Sequence, residues 1–227
     1  NLLGFSNILE ACRNFDIRNL IYASSSSVYG GNKKLPYRED SDTDKPISLY
    51  AATKKSNELL AYSYSHLYGI PSIGLRFFTV YGPWGRPDMA PMIFANSLKE
   101  NMKIKIFNNG DMLRDFTYIE DVVDAVIGCC NIPIKNYADN VNSKKNPHMI
   151  FNVGNSNPIK LLDFIKILEK KFNLKANKEF LPIQPGDVKE TFADISMLKK
   201  YTGFKPKTDI SKGLDEFSKW YMHYYGI

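Results

Sequence analysis

Asn19-Leu20-Ile21-Tyr22-Ala23-Ser24 is β-prone, and positions 20–23 carry no charge. A short apolar run of this kind reads as a parallel strand buried on both faces. Upstream, Leu2, Leu3, Phe5, Ile8, Leu9 and Cys12 recur at helical spacing, so Asn1 to Asn14 is expected to be an amphipathic helix. Downstream, Ser25-Ser26-Ser27-Val28-Tyr29-Gly30-Gly31 leaves the strand end, and residues 32–47, polar with Pro36 and Pro46, predict a loop. A second helix is expected from about Tyr50 to Tyr68, with Gly69 as its stop. Pro71-Ser72-Ile73-Gly74-Leu75-Arg76-Phe77 reads as the next strand. The order helix, strand, helix, strand implies an α/β doubly wound parallel sheet.

Beyond this core the pattern is looser. Residues 79–91, rich in Gly and Pro, predict a loop that carries Trp84 and Arg86; a helix should follow to about Glu100. Ile104 to Phe107 alternates as a short strand before the turn Asn108-Asn109-Gly110-Asp111. Phe116 to Tyr118 should be extended. A helix from about Ile119 to Cys130 opens with Glu120 and Asp121, which suits the helix dipole. Residues 135–148 are the least regular, and Met149 to Val153 reads as a strand. Asn157-Pro158 is expected to start a helix ending near Phe172, Phe180-Leu181 looks strand-like, and residues 184–187 form a turn. Asp194 and Asp209 are expected to cap the last two helices.

Composition narrows the function. Hydrophobic residues make up 44% of the 227 and charged residues 24%, ordinary for a globular protein. The net charge of +6 comes from scattered lysines rather than a stripe, and no recognition motif accompanies them, so a nucleic-acid partner is not expected. A basic enzyme acting on a doubly phosphorylated small molecule explains the charge equally well. Three cysteines, Cys12, Cys129 and Cys130, make a disulfide framework unexpected and suit a reducing cytoplasm. His66, His148 and His223 are isolated, and no spacing suggests a metal. No apolar run is long enough to span a bilayer.

Tyr50 and Lys54 lie one helical turn apart, which sets phenol and ammonium side by side. A cation beside a phenol favours the phenolate, and such a pair suits a general base near neutral pH. The same spacing occurs at Tyr29…Lys33 and Tyr201…Lys205, but glycines inside those segments disfavour helix. From spacing alone, Tyr50 and Lys54 also fit an ordinary solvated surface pair. Ser25, Ser26 and Ser27 stand at the carboxyl end of the first strand, where open α/β sheets bind ligands. A serine turn that satisfies its own backbone is the plain alternative.

In order, Ser25-Ser26-Ser27-Val28-Tyr29-Gly30, Tyr50-x-x-x-Lys54, Leu75-Arg76-Phe77-Phe78-Thr79-Val80-Tyr81-Gly82-Pro83, Arg114-Asp115-Phe116-Thr117-Tyr118-Ile119-Glu120-Asp121 and Gln184-Pro185-Gly186-Asp187 resemble the extended short-chain dehydrogenase/reductase family, in its NAD-dependent epimerase/dehydratase branch. The stretch Phe78 to Met89 most resembles UDP-glucuronate 4-epimerases. The resemblance implies a Rossmann-type domain built from residues 1–78 and 115–153, and a smaller α/β substrate domain from 79–114 and 154–227. It implies that Tyr50 takes the proton from the sugar O4, that Lys54 holds the nicotinamide ribose, and that Ser25 hydrogen-bonds the reacting oxygen. Asn1 and Phe78 would contact NAD, and Ser26 and Ser27 would face the sugar. Thr79 and Arg86 would meet the hexuronic acid, Arg114 would clamp the diphosphate of the UDP-sugar, and Asp187 would hold the nucleotide's ribose or an arginine near it. The sugar would pass through a 4-keto form, and hydride would return to its other face.

Dehydratases of this family carry Asp-Glu where this chain has Ser26-Ser27, and decarboxylating relatives usually carry Glu in that stretch. Without either carboxylate, epimerisation is favoured over elimination. The family's Gly-rich turn for the cofactor pyrophosphate is not found in the sequence and is expected to precede Asn1. A partial chain is therefore expected, one that alone neither holds NAD tightly nor turns over. The resemblance further implies a homodimer through the Tyr50 helix.

Overall fold

The computed structural model describes residues 1–133, 146–184 and 186–226. In chain order it runs α1 (Leu2–Asn14), β1 (Leu20–Ser25), α2 (Leu49–Tyr68), β2 (Ser72–Phe77), β3 (Thr79–Tyr81), α3 (Ala90–Lys99), β4 (Lys103–Ile106), β5 (Leu113–Arg114) and β6 (Phe116–Tyr118). It continues with α4 (Ile119–Cys130), β7 (His148–Val153), β8 (Ile159–Lys160), α5 (Leu161–Phe172), β9 (Asn177–Phe180), α6 (Ser196–Thr202) and α7 (Ile210–Tyr225).

Two compact units share these elements. The first comprises Asn1–Phe78, Val123–Val153 and Ala193–Lys205. Its sheet is parallel, in the order β1-β2-β7, with Leu20 opposite Ser72 and Ser72 opposite His148. Burial on both faces holds for β2, where Ser72 to Arg76 are all buried, whereas β1, expected to be buried on both faces, has Leu20 and Ile21 half-buried and Ala23 exposed. At Gly74 an added Cβ would come within 2.6 Å of Ile150 and Tyr22, so only glycine lets these neighbours close over β2. Helix α2 starts at Ser48, whose hydroxyl accepts the Ala51 N–H at 3.1 Å, and ends at Gly69 in the left-handed conformation. Ala51, Glu58, Ala61 and Ser65 form its buried stripe. On α1 only Leu9 is fully buried, while Leu3 and Phe15 are 77% and 73% exposed.

The second unit comprises Thr79–Val122, Gly154–Phe192 and Pro206–Ile227. Its strands pair two by two: β3 with β6 and β4 with β9 in parallel, β5 with β8 antiparallel. Leu161, Phe164, Ile165, Leu168 and Phe172 of α5 recur at helical spacing and meet Leu214, Phe217 and Tyr221 of α7 in one core with Ile104, Ile106 and Phe116. Phe116 and Phe164 stack at 4.3 Å.

Several expectations need correction. Thr79–Tyr81 is a strand rather than loop, because its main chain pairs with β6. Helix α5 begins after Lys160, not at Asn157-Pro158, because Ile159 and Lys160 pair with β5. Asp194 does accept the Ser196 N–H at 2.8 Å, but the residue at the helix boundary is Ile195. Residues 193–205, expected with the substrate domain, lie in the first unit, tied there by the Tyr37–Ala193 bridge and by Asn152 Nδ2 donating to Asp194 O. Residues 115–122, expected with the Rossmann part, group with the second unit. Most of the stretch expected to be irregular, residues 135–148, lies outside the described residues.

Candidate active site

In the first unit, the carboxyl end of β1 and the start of α2 gather the residues expected to do chemistry. Lys54 reaches from α2 to donate its ammonium to Ala23 O at 3.0 Å, two residues before Ser25. The same ammonium lies 5.9 Å from the centre of the Tyr50 ring. One cation therefore ties the helix to the strand end and sits beside the phenol. Tyr50 is 46% exposed, so its ring is open to a ligand. Burial pulls the Lys54 ammonium below its ordinary pKa. Asn1 makes no side-chain cap; its amide donates instead to Thr53 Oγ1 at 3.1 Å, the residue just before Lys54.

The serine run is partly engaged with itself. Ser25 is 8% exposed, and its hydroxyl accepts the Ser27 N–H at 3.2 Å, as the cap of a short 3-10 turn over Ser26–Tyr29. Ser25 also donates to Ser27 Oγ at 3.2 Å, long for a hydroxyl pair, so a better acceptor would take that proton readily. Ser26 is half-buried and Ser27 exposed. Phe78 is 5% exposed and packs with Val28, Tyr29, Tyr37 and Ala193. What the structure shows of Phe78 is core packing.

Thr79, Arg86, Arg114 and Asp187 belong to the second unit. That unit holds a cavity of about 540 Å³, within the usual range for small-molecule sites. Thr79, Arg114, Gln184 and Asp187 line it, with Lys103 and Lys105 from β4 and an apolar floor that includes Phe94 and Phe116. Arg114 is braced by donating Nη1 to the carbonyls of Leu113 at 3.0 Å and Lys189 at 3.1 Å. Three cations and two carboxylates, Asp88 and Asp187, face this space, which suits an anion carrying polar groups. Arg86 is exposed and bound in a fork by Asp88, with Nε 3.1 Å from Oδ1. Asp88, rather than Arg86, reaches the cavity wall. An exposed pair of this kind is held weakly, because water screens it.

Sequence reasoning missed a buried polar cluster under α2. Glu58 and Arg76, 5% and 3% exposed, form a two-pronged pair at 2.8 and 2.9 Å, and Ser24 donates to Glu58 Oε1 at 2.6 Å. Burial alone would lower the Arg76 pKa, but its bonds to Glu58 and Tyr29 hold it above the usual value. Burial would raise Glu58, and Arg76 instead holds it below the carboxylate range. A signal was available: Glu58 continues the Tyr50, Lys54 row at the same spacing, and Arg76 is the one charge in an otherwise apolar strand.

Among the described residues no helix is long and apolar enough to cross a membrane, and no group of His, Cys, Asp or Glu could hold a metal ion. The three cysteines are free thiols.

Comparison with known proteins converges on one family. The family model described as NAD dependent epimerase/dehydratase family matches residues 1–154. Protein CapI of Staphylococcus aureus is 48% identical over 231 residues, covering 99% of this chain and 69% of its own length. UDP-glucuronate 4-epimerase 4 of Arabidopsis thaliana is 44% identical over 232 residues, covering 99% of this chain and 53% of its own. Among solved structures, the UDP-glucuronic acid 4-epimerase of Bacillus cereus, in complex with UDP-glucuronic acid and NAD, superposes with a TM-score of 0.87 at 32% identity, over 99% of this chain and 68% of that one. With the doubly wound parallel sheet, the Tyr50–Lys54 helix and these matches together, the chain belongs to the NAD-dependent epimerase/dehydratase family.

Proposed function

We propose that this chain carries the proton-transfer residues and the nucleotide-sugar cavity of a UDP-sugar 4-epimerase. Its substrate would be a UDP-hexuronic acid, with UDP-glucuronate and UDP-galacturonate as the C4 pair. The observation that carries the reading is the Lys54 ammonium, set between the Tyr50 ring and the Ala23 carbonyl at the end of β1. A phenol with a fixed cation beside it, open to solvent at a strand's carboxyl end, is built to exchange a proton with a bound hydroxyl.

The roles follow from the residues. Tyr50 removes the O4 proton and returns it. Ser25 donates to the same oxygen once its long bond to Ser27 is exchanged. Lys54 stabilises the phenolate and would hold the nicotinamide ribose, with Asn1 nearby through Thr53. Bound NAD supplies the hydride acceptor and donor for C4, with no net redox change over a cycle. The exposed phenol and the tethered ammonium fit the nicotinamide-ribose end of that cofactor, and Phe78 serves it only as packing behind Tyr29. No Gly-rich turn for its pyrophosphate occurs in these 227 residues. In the second unit, Arg114 and the β4 lysines would neutralise a diphosphate, Asp187 would hold the ribose, and Thr79 and Arg86 would meet the sugar and its carboxylate.

Ser26 and Ser27 offer no carboxylate for elimination, which supports epimerisation over dehydration or decarboxylation. The outward side of α2, with Leu59 and Tyr62 57% and 49% exposed, supports a homodimer in the working protein. The test is Tyr50→Phe in the full NAD-loaded protein, with products of UDP-glucuronate and UDP-glucose resolved. Interconversion of C4 epimers should fall by about 10²- to 10⁴-fold, the usual worth of a general base. Retained activity would remove Tyr50 from the mechanism, and release of CO2 would replace epimerisation with decarboxylation.

A further inference from the structure

The buried pair beneath α2 has a use that stability does not explain. Arg76 sits on β2 directly opposite Ser24 of β1 and holds both oxygens of Glu58 on α2. Ser24 completes the Glu58 shell, and it directly precedes Ser25. The remaining Arg76 nitrogen donates to Tyr29 OH at 3.0 Å and Glu39 O at 3.2 Å. Tyr29 in turn donates to Asn152 Oδ1 on β7. One guanidinium thus joins the helix, all three strands of the sheet and the serine turn.

A buried ion pair is a poor way to gain stability, since an apolar pair of equal volume often serves as well or better. What a forked pair adds is direction: both oxygens must meet both nitrogens, which fixes rotation and height together. Glu58 lies on the row Tyr50, Lys54, Glu58, each one turn from the last. Any roll or slide of α2 at Glu58 therefore moves the phenol and the ammonium as well.

We propose that Glu58, Arg76 and Ser24 are positioning residues: they set the rotation and axial height of α2 against the end of β1, and so hold Tyr50 and Lys54 in register with Ser25. The proposal rests on the epimerase reading, because it assigns this register to proton transfer at the sugar O4. A misplacement of about 1 Å at a reacting group can cost about 100-fold in rate.

Single substitutions at Glu58 or Arg76 leave a buried charge without its partner and are expected to unfold the protein. The informative variant is the double change Glu58→Leu with Arg76→Met, which removes both charges and keeps volume. In the full NAD-loaded protein it should melt near the wild type and keep KM within about twofold, while kcat falls about 10- to 100-fold. The second readout is the ¹³C resonance of the Tyr50 Cζ, followed through a pH titration without substrate. It should shift in position and in titration, which a purely structural role would not require. A folded double variant with wild-type kcat and an unchanged Tyr50 resonance overturns the proposal. Should the double variant fail to fold, Ser24→Ala decides: an unchanged melting point with a several-fold lower kcat supports positioning, and an unchanged kcat overturns it. If Tyr50→Phe keeps full activity, Tyr50 leaves the mechanism and the premise that this register serves proton transfer has failed instead, and the resonance still reports whether this network sets the helix.

Discussion

Lys54 shows how much one side chain's surroundings decide. Its ammonium donates to a main-chain carbonyl rather than to a carboxylate, so it remains available to a phenolate or a ribose hydroxyl. His148 shows the reverse case, a half-buried titratable group held by packing. Its Nε2 is 2.9 Å from the Tyr22 hydroxyl, and Tyr62 meets its ring edge-on at 5.7 Å. Burial pulls its pKa down to about 4. Above about pH 6.5 the ring is neutral both folded and unfolded, and contributes no pH dependence. Between 6.5 and 4 the unfolded chain binds a proton that the folded chain refuses, so stability falls as pH falls through that window. The loss attributable to this half-buried ring should be on the order of 2 kcal/mol at pH 4.5. Urea unfolding of the wild type and His148→Phe at pH 7 and 4.5 checks it: the wild type should lose more than the variant, and equal losses would show that His148 titrates normally.

Elements are where local propensity and packing compete. Gly213 lies inside α7, where alanine would be favoured by about 1 kcal/mol on propensity alone. Its Cβ, however, would lie 2.7 Å from Tyr81 Cζ and closer still to the hydroxyl. Tyr81 is 3% exposed and wedged edge-on against Phe116, Tyr118 and Phe164, so it cannot yield. Overpacking of this kind costs about 1–3 kcal/mol and should win, so Gly213→Ala is expected to lower stability by up to about 2 kcal/mol. Gly4 on α1 has nothing within 4 Å of an added Cβ, and Gly4→Ala should gain up to about 1 kcal/mol. Thermal melts of the two variants should move in opposite directions. The same competition explains which elements were legible. Helix α1 announces itself by its period, α2 by its Gly69 stop and α7 by its Asp209 cap. Strands β3, β5 and β8, of three, two and two residues, exist only because a partner segment runs beside them, which no local spacing records.

On the scale of the whole molecule, the proposed chemistry and the proposed recognition are carried by different stretches of chain. Ser25, Tyr50 and Lys54, the residues proposed for proton transfer, fall in the first unit, and the 540 Å³ cavity with its three cations in the second. Both tryptophans, Trp84 and Trp220, also belong to the second unit, their rings 5.4 Å apart. Tryptophan emission during urea unfolding therefore reports on that unit. UDP at about 100 times its dissociation constant should raise the stability seen by this signal by about 2.7 kcal/mol. An unmoved midpoint at saturating UDP would show that the cavity is not the nucleotide site. By itself the sequence determined the family, through motifs that resemble it in order along the chain, the parallel α/β fold, through the alternation of helix and strand signals, and the Tyr50–Lys54 adjacency, through one turn of one helix. Tertiary structure alone decided that Glu58 meets both Arg76 and Ser24, and that residues 193–205 return to the first unit. Those contacts join segments brought together by the chain's return path and by the need to pair buried charge, and neither is written in local periodicity.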